Sequence, residues 1–355
     1  MKFKITGIDS LGQGVSKDSD KITFIPKTAV GDEGEAEIVA QKKGVIFAKA
    51  TSFTTQSSQR ITPACPHFES CPSCHLQHVS YETELQVKKD AFERLFRKIA
   101  MPSTTVIGAP ERIGYRNRVQ LHYDRKTRKL GMLDVSKHQI VSIPQCMIGQ
   151  SEIGDEIRRL YSGDQWLSHA PSEPKGHVEL YSRASGVHMT WNKPYASGGF
   201  TQVNKVMNQK LIEELLKWNA EDRPETLLDL FAGNGNLSNS MKFTQRKGFD
   251  MYEKTPGPDF KSLDLYSKNA LKAVLKDCPL PDAILLDPPR SGMKDLKEWL
   301  KALNPKRVAY VSCDPHTLAR DVSGLDDYSV THAFVLDFFP STYHFESLLF
   351  LERKC

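Results

Sequence analysis

Three groups of side chains in this sequence have the types and spacing to do chemistry. The first lies in Tyr310-Val-Ser-Cys-Asp-Pro-His-Thr-Leu-Ala-Arg320. Arg307 to Ser312 reads as a buried strand, and Asp314-Pro315 reads as a helix start, with Asp314 at the N-cap and Pro315 at the first helical position. Cys313 then falls between the carboxyl end of a strand and the positive end of a helix, where open α/β sheets place their sites. A helix N-terminus favours the nucleophilic thiolate, while the adjacent Asp314 opposes it, so the expected net activation is modest. The other reading of Cys313 is a small inert side chain filling a strand end. The second group is Cys65-Pro-His-Phe-Glu-Ser-Cys71-Pro-Ser-Cys74, with Cys146 as the natural fourth member. Four thiolates suit zinc or an iron–sulfur cluster. Paired CxxC knuckles would point to zinc, whereas three close cysteines and one remote one favour a [4Fe–4S] cluster. The third group is a pair of carboxylates. Asp287 ends Asp282-Ala-Ile-Leu-Leu-Asp287 and precedes Pro-Pro-Arg-Ser-Gly292, and Glu346 follows Phe339-Pro-Ser-Thr-Tyr-His-Phe345. Both fall on the sheet edge that carries Cys313, although from its loop alone Glu346 reads as an exposed acid.

The elements that must position these groups divide the chain in three. Residues 1–55 show short alternating runs, such as Lys21-Ile-Thr-Phe-Ile25 and Gly44-Val-Ile-Phe-Ala48, separated by glycine turns. Five or so strands in this length suit a small closed barrel of the oligonucleotide-binding (OB) type. Residues 56–197 form a central α+β domain. It opens with the cysteines, continues in an amphipathic helix over 80–100, and then alternates like strands, with a helical insert near Glu152 to Leu160. Residues 198–355 change to alternating strands and helices, the pattern of a parallel α/β sheet. There Thr226-Leu-Leu-Asp-Leu-Phe231 is a buried strand running into the glycine-rich turn Ala232-Gly-Asn-Gly-Asn236. Gly248 to Glu253 would be the next strand, ending in an acid suited to ribose hydroxyls, and Asp259 to Asp264 the third.

Composition bounds the function. With 39% hydrophobic and 26% charged residues in 355, the chain is that of a soluble globular protein. No apolar run approaches the roughly 20 residues of a membrane helix, and the first ten residues lack a signal peptide's apolar core, so no membrane and a cytoplasmic location are expected. Seven cysteines in a reducing compartment point to metal ligation or catalysis. The net charge of +5 decides nothing, but between Lys88 and Lys129 twelve Lys/Arg stand against four acids. This basic belt is either a solvated surface or a phosphate-binding one.

Taken together the motifs resemble the RNA uracil-5-methyltransferase family, in particular its 23S ribosomal RNA members. The resemblance is carried by the four cysteines, Phe200-x-Gln202-x-Asn204, Asp229-Leu-Phe-Ala-Gly-Asn-Gly-Asn236, Asp287-Pro-Pro-Arg-Ser-Gly292, Ser312-Cys-Asp-Pro-x-Thr-Leu-Ala-Arg-Asp321 and Phe339-Pro-x-Thr-x-His-x-Glu346. It covers nearly the whole chain, and the last two motifs, in this order and spacing, are highly specific. It implies a Rossmann-like S-adenosylmethionine (SAM) domain, a TRAM domain in the N-terminal barrel, and a central iron–sulfur domain. Cys313 is then similar to the nucleophile and Glu346 to the base that takes the C5 proton. Gln202, Phe231, Asn236, Glu253, Asp264 and Asp287 match SAM-binding positions, and Cys65, Cys71, Cys74 and Cys146 match the [4Fe–4S] ligands. The implied partner is RNA, with 23S rRNA ahead of tRNA, and the implied form a monomer.

The chemistry explains the residue types. Uracil C5 is a poor nucleophile until a thiolate adds at C6, and after methylation a carboxylate must remove the C5 proton. The target nucleotide must be unpaired or flipped out. One departure stands out. Only eleven residues separate Glu253 from Asp264, and Thr255-Pro-Gly-Pro258 leaves no room for the usual crossover helix. A shortened wall beside the cofactor is expected, with weakened SAM binding. Complete loss of methyl transfer would leave an RNA-binding iron–sulfur protein, the alternative reading.

Overall fold

The computed structural model describes all residues except 18–20, 136, 198, 200, 223, 252–258, 279 and 355. Two compact units account for the chain: Met1–Lys88, Ala109–Val206 and Phe338–His344 in one, and Lys89–Gly108, Met207–Asp337 and Phe345–Cys355 in the other. The stretch 56–197, expected as one central domain, therefore gives residues 89–108 to the second unit.

In the first unit, Lys2–Ile8 (β1), Gln13–Ser16 (β2), Ile22–Pro26 (β3), Glu33–Lys42 (β4) and Val45–Thr55 (β5) close into a five-stranded barrel in the order β1-β2-β3-β5-β4. Its alternating positions turn Phe3, Ile5, Ile25, Ala36, Ile46 and Ala48 inward, and the architecture fits the OB type. Helix Tyr81–Phe96 (α1) and strand Thr104–Ile107 (β6) follow. A five-stranded sheet comes next, from Arg118–Asp124 (β7), Lys129–Asp134 (β8), Gln139–Val141 (β9), Lys175–Arg183 (β10) and Gly186–Trp191 (β11), in the order β11-β10-β7-β8-β9. Helices Ser151–Tyr161 (α2) and Trp166–His169 (α3) supply Ile153, Ile157, Leu160 and Trp166 to its core, against Leu121, Tyr123, Val178 and Leu180.

Part of the basic belt is consumed inside this unit. Lys88 is fully buried on Glu84 at 2.8 Å, and Arg112 reaches the same carboxylate at 2.7 Å. Arg118 pairs with the buried Glu179 at 2.7 Å, and Arg125 donates to the carbonyls of Leu167, Ala170 and Pro171. Glu84 also accepts the Ser341 N–H at 2.6 Å, and Lys88 reaches the Phe339 carbonyl at 3.2 Å, so this charge network holds the loop before Glu346. Removing one member of such a network strands the others without counter-charge. Glu84→Ala is expected to cost about 3–5 kcal/mol, read as a lower urea midpoint for the far-ultraviolet signal.

The second unit is an eight-stranded sheet. Lys205–Asp222 (α4) leads into Thr226–Leu230 (β12), Gln245–Asp250 (β13), Phe260–Ser262 (β14), Ala270–Asp277 (α5), Ala283–Leu286 (β15), Leu296–Leu303 (α6), Arg307–Ser312 (β16), Pro315–Val322 (α7), Tyr328–Leu336 (β17) and Glu346–Arg353 (β18). The order is β14-β13-β12-β15-β16-β18-β17-β6. The strands β14, β13, β12, β15 and β16 run parallel, β18 pairs antiparallel with both β16 and β17, and β6 pairs parallel with β17. β15 and β16 are buried along their whole length, as central parallel strands must be. Strand order reverses between β12 and β15, so the topological switch point falls where their carboxyl ends open. Among the described residues no helix is long and apolar enough to cross a membrane.

Candidate active site

Cys313 and Glu346 meet by strand register. β16 and β18 are antiparallel, and their last pair is Ser312 with Ser347. Cys313 is the next residue along β16, and Glu346 is the first residue of β18. The remote thiol and carboxyl are thus placed side by side at one sheet edge. Asp314 caps α7 as expected, accepting the His316 N–H at 2.9 Å and the Thr317 N–H at 3.4 Å. Glu346 is only 5% exposed, not the open loop acid its local sequence suggests. Burial pushes its pKa well above the ordinary value; Asp287 adds to this and Arg290 opposes it. Burial likewise pushes the Cys313 thiol up to about 12, helped by the Glu346 and Asp287 carboxylates and countered by Arg290. The expected mild activation by the helix end is therefore outweighed, because burial and two carboxylates from other strands act on the same sulfur.

The loop after β15 is clamped to α7. Asp321 accepts the Met293 N–H and the Tyr310 hydroxyl, each at 2.6 Å, and Arg320 donates to the Ser291 carbonyl at 2.7 Å. This fixes the segment bearing Asp287 and Arg290 relative to the helix that follows Cys313. Across the switch point, the turn after β12 places Phe231 (φ 62°), Gly233 (φ 54°) and Gly235 (φ 74°) in the left-handed region. The Gly233 N–H donates to the Asp250 carboxylate at 2.9 Å. Asn236 exchanges amide hydrogen bonds with Asn208 at 2.9 and 3.0 Å, and the Phe231 ring lies 5.5 Å from that of Tyr266. Asp229, Asp250 and Asp287 act on one another here. Burial pushes Asp229 up to about 7, and burial with Asp229 and Asp250 raises Asp287. Three crowded acids at a switch point suit a cationic ligand.

A family model described as tRNA (Uracil-5-)-methyltransferase matches residues 268–354, the stretch that holds both Cys313 and Glu346. Relatives extend over the whole chain. The 23S rRNA (uracil(1939)-C(5))-methyltransferase RlmD of Vibrio parahaemolyticus is 28% identical, covering 99% of this chain and 95% of its own. The RlmD of Salmonella typhimurium is 29% identical with the same coverage. Over its whole length the chain is similar to RNA uracil-5-methyltransferases. In fold it is similar to the tRNA (uracil-54, C5)-methyltransferase of Pyrococcus abyssi, solved with S-adenosyl-L-homocysteine, at a TM-score of 0.75 over 99% of both chains and 21% identity.

Of the residues that the uracil-5-methyltransferase resemblance assigns to SAM, Phe231, Asn236, Asp264 and Asp287 lie in the second unit. Asp264 is exposed, and its carboxylate accepts the Tyr266 N–H at 2.9 Å. Gln202 lies in the first unit, where its backbone carbonyl accepts from the Asn117 amide at 2.8 Å. Phe200, Glu253 and the segment Thr255-Pro-Gly-Pro258 lie outside the described residues. β13 corrects one expectation: it ends at Asp250, not at Glu253. The strand-end acid is thus Asp250, which the sequence reading missed although Gly248-Phe249-Asp250 carries the signal. Arg290, within Asp287-Pro-Pro-Arg-Ser-Gly292, opposes the raised values of both Cys313 and Glu346.

The four family cysteines lie in the first unit and line one small cavity with Phe68, Met132, Ile143 and Ile148. Lys27, at the end of β3, donates to the carbonyls of Phe68, Glu69 and Cys71 and so fixes the cysteine loop. All six described cysteines are free thiols. Among the described residues no three His, Cys, Asp or Glu side chains are grouped so as to hold a metal ion. The four thiols come from C-x5-C-x2-C and from the loop after β9.

Proposed function

We propose that this protein methylates C5 of uridine in 23S rRNA, with SAM as methyl donor, Cys313 as nucleophile and Glu346 as base. The observation that carries this reading is the register that sets Cys313 beside Glu346 within a chain similar to this family. Cys313 Sγ adds to C6 of the uracil, and the electron pair moves toward C5 and the O4 enolate. C5 forms its bond to the methyl carbon as the donor's sulfur–methyl bond breaks. The Glu346 carboxylate then takes the C5 proton, and the returning electrons expel Cys313 as thiolate. The raised pKa of Glu346 makes its carboxylate a stronger base. A sulfonium among Asp229, Asp250 and Asp287 offsets their charge, so the Cys313 thiolate is favoured once the donor is bound.

Phe231, Asn236, Glu253, Asp264, Asp287 and Gln202 are the proposed SAM contacts, with Asp250 closing β13 on the Gly233 N–H. The N-terminal barrel is read as a TRAM domain that holds RNA, and the cytoplasm as the site of action. Cys65, Cys71, Cys74 and Cys146 would hold a [4Fe–4S] cluster of structural role, since no electron enters the methyl transfer. Anaerobically purified protein is then expected to be brown and to carry about four irons. Colourless protein with one zinc would overturn this. The family description names tRNA, so tRNA is the second reading. Mass mapping of rRNA and tRNA from a strain lacking the protein separates them: loss of one 5-methyluridine from 23S rRNA supports the first, and loss from tRNA the second.

A further inference from the structure

We propose that the outer face of the five-stranded sheet carries a groove that docks a segment of the substrate RNA; this rests on the reading that RNA is the substrate. The alternation of β7, β8 and β10 sends Leu121, Tyr123, Leu130 and Val178 into the core. The other face then carries two rows set by register: Lys175–Asp124–Lys129, and His177–His122–Gly131. The His122 and His177 rings lie 6.0 Å apart. Gly131 is required by the edge strand, because a Cβ there would stand 1.9 Å from the Val141 carbonyl oxygen. These rows line an open groove of about 430 Å³, whose lining also includes His138 and Gln139. It is large enough for a nucleotide.

Its charge fits a polyanion. Asp124 is the only acid in the lining, and Lys175 already neutralises it at 3.3 Å. Lys129 makes no ion pair among the described residues, and Lys126 stands exposed on the adjoining hairpin. These cations differ in kind from Lys88, Arg112 and Arg118, which are spent on buried carboxylates. The lysines can meet phosphates, and the imidazole row offers ring faces to an unstacked base. Val135, 70% exposed in the turn after β8, adds an apolar contact at the end of the hairpin.

The test is binding of in vitro transcribed 23S rRNA, without SAM, as a function of salt. Lys129→Ala/Lys175→Ala is compared with wild type and with Lys272→Ala/Lys276→Ala, which removes equal charge from α5. The groove variant is expected to bind about 10-fold more weakly near physiological salt, with a log–log salt slope shallower by about 1–2. Lys129→Glu should weaken binding further, and the circular dichroism of all variants should match wild type. A groove variant no weaker than the α5 control overturns the groove. Wild type that binds no RNA would instead overturn the reading on which it rests.

Discussion

Cys313→Ala is expected to abolish methyl transfer while leaving the fold intact. Alanine is smaller than cysteine at a half-buried strand end, and Asp314, which caps α7, is untouched. Without the sulfur no covalent bond forms at C6, and C5 keeps too little electron density to attack. A loss of about 10⁴-fold or more follows if covalent activation supplies most of the rate, since each factor of ten is about 1.4 kcal/mol of barrier. RNA with 5-fluorouridine at the target makes the result specific. Fluorine cannot leave as a proton does, so wild type should accumulate a protein–RNA adduct that survives denaturation. Equal adduct from wild type and Cys313→Ala would remove the sulfur from the mechanism.

Glu346→Gln should separate activity from stability. Turnover falls steeply because nothing removes the C5 proton. The methylated adduct should then persist on ordinary uridine RNA, as it does for wild type only with fluorine present. Stability moves the other way. In the folded protein Glu346 titrates above its ordinary value of 4.5, so its neutral form favours folding. That contribution is complete below about pH 4.5 and is lost as pH rises through the folded value. Glutamine stays neutral throughout. The variant should melt several degrees above wild type near pH 8, with the gap closing toward about pH 4.5. A variant that is both inactive and less stable across this range would show that Glu346 is a structural acid.

Much of the site could be read from the residues because its signals are local. Asp314-Pro315 announces a helix, the apolar run before it announces a buried strand, and the cysteine therefore has a defined place. The unread parts depend on partners distant along the chain. The thiol's raised pKa comes first from burial and then from Glu346 and Asp287, which reach it only after β15 and β18 have paired with β16. Lys88 and Arg118 look like surface cations until the carboxylates of Glu84 and Glu179 are seen buried against them. The end of β13 was placed too late because Met251 and Tyr252 continue an apolar pattern past the last ladder residue. β6 was assigned to the central domain because nothing in Thr104–Ile107 tells which sheet it will join.

That short strand has a consequence for how the chain is made. Thr104–Ile107 completes its ladder only with Ala333–Leu336, so it emerges from the ribosome long before its neighbour exists. The sheet edge is sealed only once β17 has been made. Such wide separation in sequence slows assembly and leaves early segments open to wrong pairings. Nascent chains that stall before β17 should be clients of chaperones, whereas the barrel, closed within the first 55 residues, can form while translation continues.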